Sequence, residues 1–352
     1  MTHAEFLTPS PSHSTAPRAE VGGQSDADYI FSDAERATLT DWLDIPLNPY
    51  REPGAFLALI RDMVDHETPT FLTELCARLS AAPVEDKVCY YLKNCPVDPE
   101  IPMLGFEDQL NEKYRLKKTF VGEAFLAVVT ELMGTDIISY RTANNGDLFQ
   151  DIHPMRELAH TPSQKTVDTI KFHADIPNNR VRPDWVYLLS MRNTPENKVY
   201  TVVVSLKEVF SRLSDDDISL LRQPIFYSPH DTIHVHGGQE PGFTPKKPIL
   251  ITEGGREYLA FFEGNTTSDD PRGLAVIDRV SAILHEIGKD FFLYERDLLV
   301  MSNNTAVHAR RVDEVTNVDA HRNRWLLKTW NVDDITRHTR NLVPGKVQMS
   351  DE

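Results

Sequence analysis

Between residues 29 and 135 apolar side chains recur at helical intervals, and beyond 136 they crowd into short runs bounded by turn residues. The first helix opens on a capping box, Ser32-Asp33-Ala34-Glu35, in which the serine and glutamate side chains each accept from the other residue's backbone N–H. Leu39, Trp42 and Leu43 then follow at i, i+3 and i+4. Further helices are predicted over 54–66, 69–82 and 118–133, the last with Phe125, Val128, Val129 and Leu132 on one face and Gly134 as its stop. Strands are predicted at 137–140, 185–189, 199–204, 233–235, 249–251, 258–262, 298–300 and 325–332, with Gly237-Gly238 and Gly254-Gly255 as hairpin turns. One helix interrupts them. It opens at Pro271 behind Asp269 and Asp270 and carries Ile277, Val280, Leu284 and Ile287 at helical spacing. Ser214-Asp215-Asp216-Asp217 reads as a helix N-cap followed by carboxylates that the helix dipole favours. The pattern predicts a single α+β domain over 29–352: mainly helical support at 29–135, a double-sheet β core at 136–335 with the helical insert, and a C-terminal tail at 336–352. Residues 1–28, rich in Ser, Thr, Pro, Gly and Ala, read as a disordered leader.

Composition removes some functions. A net charge of -16 on 352 residues argues against non-specific binding to nucleic acid or to an anionic membrane, both of which need a basic footprint. No apolar run approaches the roughly 20 residues of a membrane span, and no secretory signal is visible at the N-terminus. Cys76, Cys89 and Cys95 are odd in number and lack CxxC spacing, so reduced thiols in a cytoplasmic protein are expected. There is no glycine-rich phosphate loop.

The chemistry starts at Phe172-His173-Ala174-Asp175. In a strand, residues two apart share a face, so His173 and Asp175 would present an imidazole and a carboxylate together. Asn304-Thr305-Ala306-Val307-His308 follows a strand far downstream and offers a second imidazole. Two histidines and one carboxylate on one face of an iron leave three positions open, the arrangement of non-haem Fe(II) oxygenases. Arg324-Trp325-Leu326-Leu327-Lys328 then puts a guanidinium on the same strand face as Leu326 and Lys328, and a guanidinium grips a carboxylate with two parallel hydrogen bonds. A rival pair, His234 and His236 with His230 before it, runs directly into Gly237-Gly238 and reads as a loop mouth. His153 and His160 read as structural, and Trp325 and Trp330 as core residues on opposite faces.

From 149 to 333 the sequence resembles the clavaminate synthase-like branch of the Fe(II)/2-oxoglutarate oxygenases, in particular the hydroxylases of free lysine and arginine. The resemblance rests on Phe149-Gln150-Asp151-Ile152-His153-Pro154, the His173/Asp175 pair, Val181-Arg182-Pro183-Asp184-Trp185, Met191-Arg192, Asn304 to His308 and Arg324-Trp325-Leu326. It implies a double-stranded β-helix, or jelly roll, with Fe(2+) on His173, Asp175 and His308 and with 2-oxoglutarate and O2 as co-substrates. It also implies Arg324 at the distal carboxylate of 2-oxoglutarate, with Thr201 helping there. Gln150 then meets a small-molecule amino-acid substrate, and Glu263 faces its cationic end. Two extra residues between His308 and Arg324 make Arg322 a rival for the co-substrate. Where many relatives carry F-D-x-D, this sequence has Glu263 and Asn265. Halogenating relatives have Gly or Ala at the carboxylate position, so Asp175 points to hydroxylation. The alternative is a non-catalytic β-sandwich that binds a ligand or partner.

Overall fold

Alternation along the strands sorts their side chains into layers. The computed structural model describes residues 27–349 apart from 232–234, 237, 239 and 254; most of the expected leader lies outside the described residues. The strands are β1 (Tyr29–Ile30), β2 (Cys89–Lys93), β3 (Asp136–Tyr140), β4 (Gln150–Ile152), β5 (Ile170–His173), β6 (Trp185–Arg192), β7 (Lys198–Ser205) and β8 (Phe226–Tyr227). They continue with β9 (Leu250–Glu253), β10 (Arg256–Leu259), β11 (Thr267–Ser268), β12 (Lys289–Phe291), β13 (Leu298–Ser302), β14 (Ala306–Glu314), β15 (Trp325–Val332) and β16 (Gln348–Met349). A major sheet has the order β1-β2-β13-β6-β15-β3-β16, with β4 also on β15, and a minor sheet has the order β12-β7-β14-β5.

Leu188 and Leu326 of the major sheet pack with Val203 and Phe291 of the minor sheet, forming the core between the two. Their neighbours Tyr187, Leu189, Trp325 and Leu327 face the opposite way, into the helical support. Val202 and Val204 face outward from the minor sheet onto the insert helix Pro271–Ile287 through Val276, Val280 and Leu284. The molecule is thus four layers deep: helices, major sheet, minor sheet, insert helix.

The support contains α1 (Asp33–Trp42), α2 (Pro53–Glu67), α3 (Thr70–Ser80), α4 (Gln109–Leu116) and α5 (Val121–Leu132). The capping box at Ser32 and Glu35 forms as expected, and Gly134 ends α5 at φ 69°. The insert helix begins at Pro271 with Asp270 as its N-cap, and Ser214 caps the short helix Asp215–Leu221. Glu253 pairs with Arg256 in a hairpin with Gly255 at φ 80°, and Gly254 lies outside the described residues.

Other expectations are corrected. The helical segment contributes two strands, β1 and β2, to one edge of the major sheet. The strand expected at 258–262 ends at Leu259, and Phe262 instead makes an isolated bridge to His173. Ile233 and His234 lie outside the described residues, and Val235 and His236 have helical backbone. The C-terminal segment is not a free tail, because β16 returns to pair in parallel with β3. Among the described residues no helix is long and apolar enough to cross a membrane.

Candidate active site

Register places the two imidazoles. His308 on β14 is the cross-strand partner of His173 on β5 and of Val203 on β7, and the two rings lie 4.4 Å apart, centroid to centroid. Asp175 does not share their strand as expected. β5 ends at His173, and Asp175 sits in the turn beyond it, where Ile176 takes φ 50°. That turn is held by Asn303, whose side-chain amide accepts from the Asp175 N–H at 2.7 Å and donates to the Asp175 and Pro183 carbonyls at 2.9 Å each. The clamp, not strand alternation, brings the carboxylate back to the histidines. Asp175 Oδ1 lies 3.3 Å from His173 Nε2 and 3.6 Å from His308 Nε2.

One donor atom from each of the three residues falls within 4.8 Å of the others. The set of two imidazole nitrogens and one carboxylate oxygen fits a divalent iron and leaves one side open. His173 Nδ1 bonds the Lys171 carbonyl at 2.8 Å, which turns Nε2 toward the centre. Its ring stacks on Phe262 at 5.0 Å. Burial and the neighbouring His173 hold the His308 pKa down, favouring the neutral imidazole that a metal requires.

Two residues that the sequence motifs do not mark as part of the site hold the carboxylate. Lys328 Nζ donates to Asp175 Oδ2 at 2.9 Å and Trp330 Nε1 donates to the same oxygen at 2.7 Å. Burial alone would raise the Asp175 pKa; the Lys328 charge and the histidine hydrogen bonds keep it well below the usual carboxylate range. Trp330 is buried as expected, but its indole also orients a ligand. A sequence signal for both exists: Leu326, Lys328 and Trp330 share one parity along β15, just after Arg324.

A cavity runs from the triad to Thr201, Arg310 and Arg324 between apolar walls of Ile152, Leu188 and Leu326. Arg324 is 3% exposed and its Nε has no hydrogen-bond partner. Burial lowers its pKa to about 10, so it stays charged at neutral pH. A buried guanidinium with an unpaired N–H, facing a cavity beside a metal triad, fits a dicarboxylate bound with one end at the metal. Arg322 is elsewhere: its side group is 45% exposed on the short helix Val318–Arg322, 3.9 Å from Asp319.

The structure does not bring every candidate to this cavity. Gln150 is fully buried opposite Lys328 in the β4–β15 register; its amide donates to the Asp147 carbonyl and its Oε1 has no partner. Glu263 turns toward the insert helix. Its carboxylate accepts from the Phe172 N–H at 3.3 Å and bonds His285 Nε2 at 2.8 Å. The histidine pair is not assembled within the described residues: His234 lies outside them, and His236 is exposed with Nδ1 4.0 Å from Glu157.

No family model matches the sequence. Clavaminate synthase 2 of Streptomyces clavuligerus is 21% identical over 194 residues, which are 55% of this protein and 59% of that one. The match therefore spans less than two thirds of that relative. The L-asparagine oxygenase of Streptomyces coelicolor is 23% identical over 251 residues, 70% of this protein and 71% of that one. Among solved structures, asparagine oxygenase in complex with Fe(II), 2S,3S-3-hydroxyasparagine and succinate is similar at a TM-score of 0.79 and 18% identity, covering 92% of this protein and 99% of its own length. The non-heme iron oxygenase OrfP with Fe, succinate and (3R,4R)-dihydroxy-L-Arg is similar at 0.75 and 18%, covering 91% and 99%. The protein shares its fold with both solved structures. In its fold and in the facial His-Asp-His set the protein is similar to these non-haem iron oxygenases.

Proposed function

We propose that the protein hydroxylates an unactivated C–H bond in the side group of a free L-amino acid. One O2 and one 2-oxoglutarate are consumed, one oxygen atom enters the substrate, and succinate and CO2 leave. The observation that carries this reading is the unpaired, buried guanidinium of Arg324 in the same cavity as the triad. Iron held by His173, Asp175 and His308 would supply O2 activation coupled to decarboxylation of 2-oxoglutarate.

The protein's own residues position and shield. Arg324 and Thr201 would take the distal carboxylate of the co-substrate. Ile152, Leu188 and Leu326 exclude water from the space between that carboxylate and the metal. Lys328 and Trp330 fix the carboxylate ligand in one orientation, and the Lys328 charge helps to keep it ionised. Gln150, which the resemblance assigns to the substrate, is buried outside the cavity, so no substrate contact is proposed for it.

The resemblance to lysine and arginine hydroxylases supports a cationic substrate, with Glu263 as the partner of its charged end. A second reading, a substrate ending in a neutral amide, is favoured because Glu263 is already engaged by His285 and the Phe172 N–H. Glu263→Gln separates them: selective loss of lysine and arginine turnover supports the first, an equal effect on all substrates the second.

The deciding experiment incubates the protein with Fe(II), ascorbate and 2-oxoglutarate against a panel of free amino acids including ornithine and citrulline. Mass spectrometry should find a product heavier by one oxygen atom that forms only when 2-oxoglutarate is present. No such product, and no visible charge-transfer band on anaerobic addition of 2-oxoglutarate to the Fe(II) protein, would leave the non-catalytic binding protein as the better reading.

A further inference from the structure

The minor sheet places a second buried guanidinium in the same cavity. Arg310 lies two residues beyond His308 on β14 and is the cross-strand partner of Thr201 on one side and of Ile170 on the other. Thr201, Arg310 and Ile170 therefore form a row next to the row that carries the two histidines, and all three line the cavity. Arg310 is 7% exposed. Its guanidinium donates to the backbone carbonyls of Thr166 at 2.6 Å, Asp168 at 2.9 and 3.3 Å, and Gln164 at 3.4 Å. The Asp168 carboxylate turns away to His160 at 2.8 Å. No carboxylate among the described residues forms an ion pair with Arg310.

Carbonyl dipoles satisfy its N–H groups but do not neutralise a full charge in a poorly polarisable interior. Arg324 adds a second unneutralised charge to the same small space. The planar fork carries its donors on three separate nitrogens, so it bridges carbonyls spread along a five-residue segment, whereas an ammonium's donors diverge from one point. That segment, 164–168, brings Gln164 to the cavity and leads directly into β5 and His173.

We propose that Arg310 is a positioning residue for the 2-oxoglutarate pocket, pinning 164–168 as its wall and supplying a second buried positive charge for the dicarboxylate. The inference rests on the function proposed above. Co-substrate binding and order in the 164–168 segment are then coupled.

The test measures 2-oxoglutarate binding to the Mn(II)-loaded full-length protein by calorimetry, with hydrogen exchange followed over 164–173. In the wild type, 2-oxoglutarate should bind and raise protection of the segment. Arg310→Gln should weaken 2-oxoglutarate binding by about thirtyfold or more, in the range expected when one partner of a buried charged contact is removed. Its Mn(II) affinity should change by less than about threefold, and the segment should exchange faster. Arg310→Lys should recover part of the affinity and none of the protection, since charge returns without the fork. Unchanged 2-oxoglutarate affinity in a folded Arg310→Gln overturns the proposal, as does an equal loss of metal and co-substrate affinity. Arg324→Ala is the control. Wild type failing to bind 2-oxoglutarate at all removes the proposed function and this inference together, whereas a loss confined to Arg324→Ala removes only this inference.

Discussion

Asp175 has more than one role in the candidate metal centre. Its Oδ1 faces both histidines and its Oδ2 accepts from Lys328 and Trp330, so the carboxylate balances a buried ammonium as well. Asp175→Ala should therefore destabilise the metal-free protein by about 3–5 kcal/mol, the cost of stranding a buried charge. Adding Lys328→Met should restore much of that loss, and urea unfolding of the single and double variants measures both. The same logic bears on any attempt to open the ligand position to chloride: Asp175→Gly should hold iron weakly and gain from removal of Lys328. His173→Ala or His308→Ala should abolish Fe(II) binding with the fold intact, checked by metal titration and circular dichroism. Replacing Arg324 with Ala should raise the 2-oxoglutarate requirement by the equivalent of roughly 2–5 kcal/mol, while Arg322→Ala, on the surface, should change it little. A 2-oxoglutarate titration of initial rates decides between the two arginines.

At the scale of elements, long near-continuous apolar runs were the legible ones. β6, β7 and β15 stood out as β-rich apolar runs, and the insert helix kept its three-to-four spacing between the minor sheet and solvent. β2 was not predicted because Cys-Tyr-Tyr-Leu-Lys offers only a short apolar run and lies among helices. The His173/Asp175 pair was legible as a ligand pair although the strand argument for it was incomplete. What places Asp175 is Asn303, over a hundred residues away in sequence, and no local pattern encodes that clamp. Glu263 illustrates the reverse: its position beside Phe262 is close to the site, yet side-chain direction sends it to the insert helix. That helix meets the minor sheet closely at Gly288, where an added Cβ would lie 2.7 Å from Val202 Cγ1 and 3.3 Å from Phe172 Cζ. Gly288→Ala should therefore cost about 1–3 kcal/mol by overpacking. Gly54→Ala in α2, with nothing within 4 Å of the new atom, should be neutral or slightly stabilising. Thermal unfolding of both variants checks the contrast.

For the whole molecule, the contact between helical support and β core is partly polar, and this makes stability depend on pH. Gln109 on α4 donates to the His153 and Pro154 carbonyls at 3.0 Å each, and the His153 imidazole is buried beside Trp325. Burial pushes the His153 pKa from 6.5 down to about 4. The unfolded state takes up that proton first, so acid favours unfolding. Stability from neutral His153 is complete above about pH 6.5 and falls by about 1.4 kcal/mol per pH unit toward pH 4. His153→Gln should lose melting temperature less steeply than wild type between pH 7 and pH 5. An equal slope would mean that other groups govern the acid limit.

The pairing of His308 with His173 also has a consequence for how the protein is made. A polypeptide leaving the ribosome exposes His173 and Asp175 long before His308 has been synthesised. Until β14 emerges and docks beside β5, two of the three candidate ligands stand without the third. On the proposed function, metal loading would then wait for a nearly finished polypeptide, and a truncated product that ends before β14 would lack the His308 ligand.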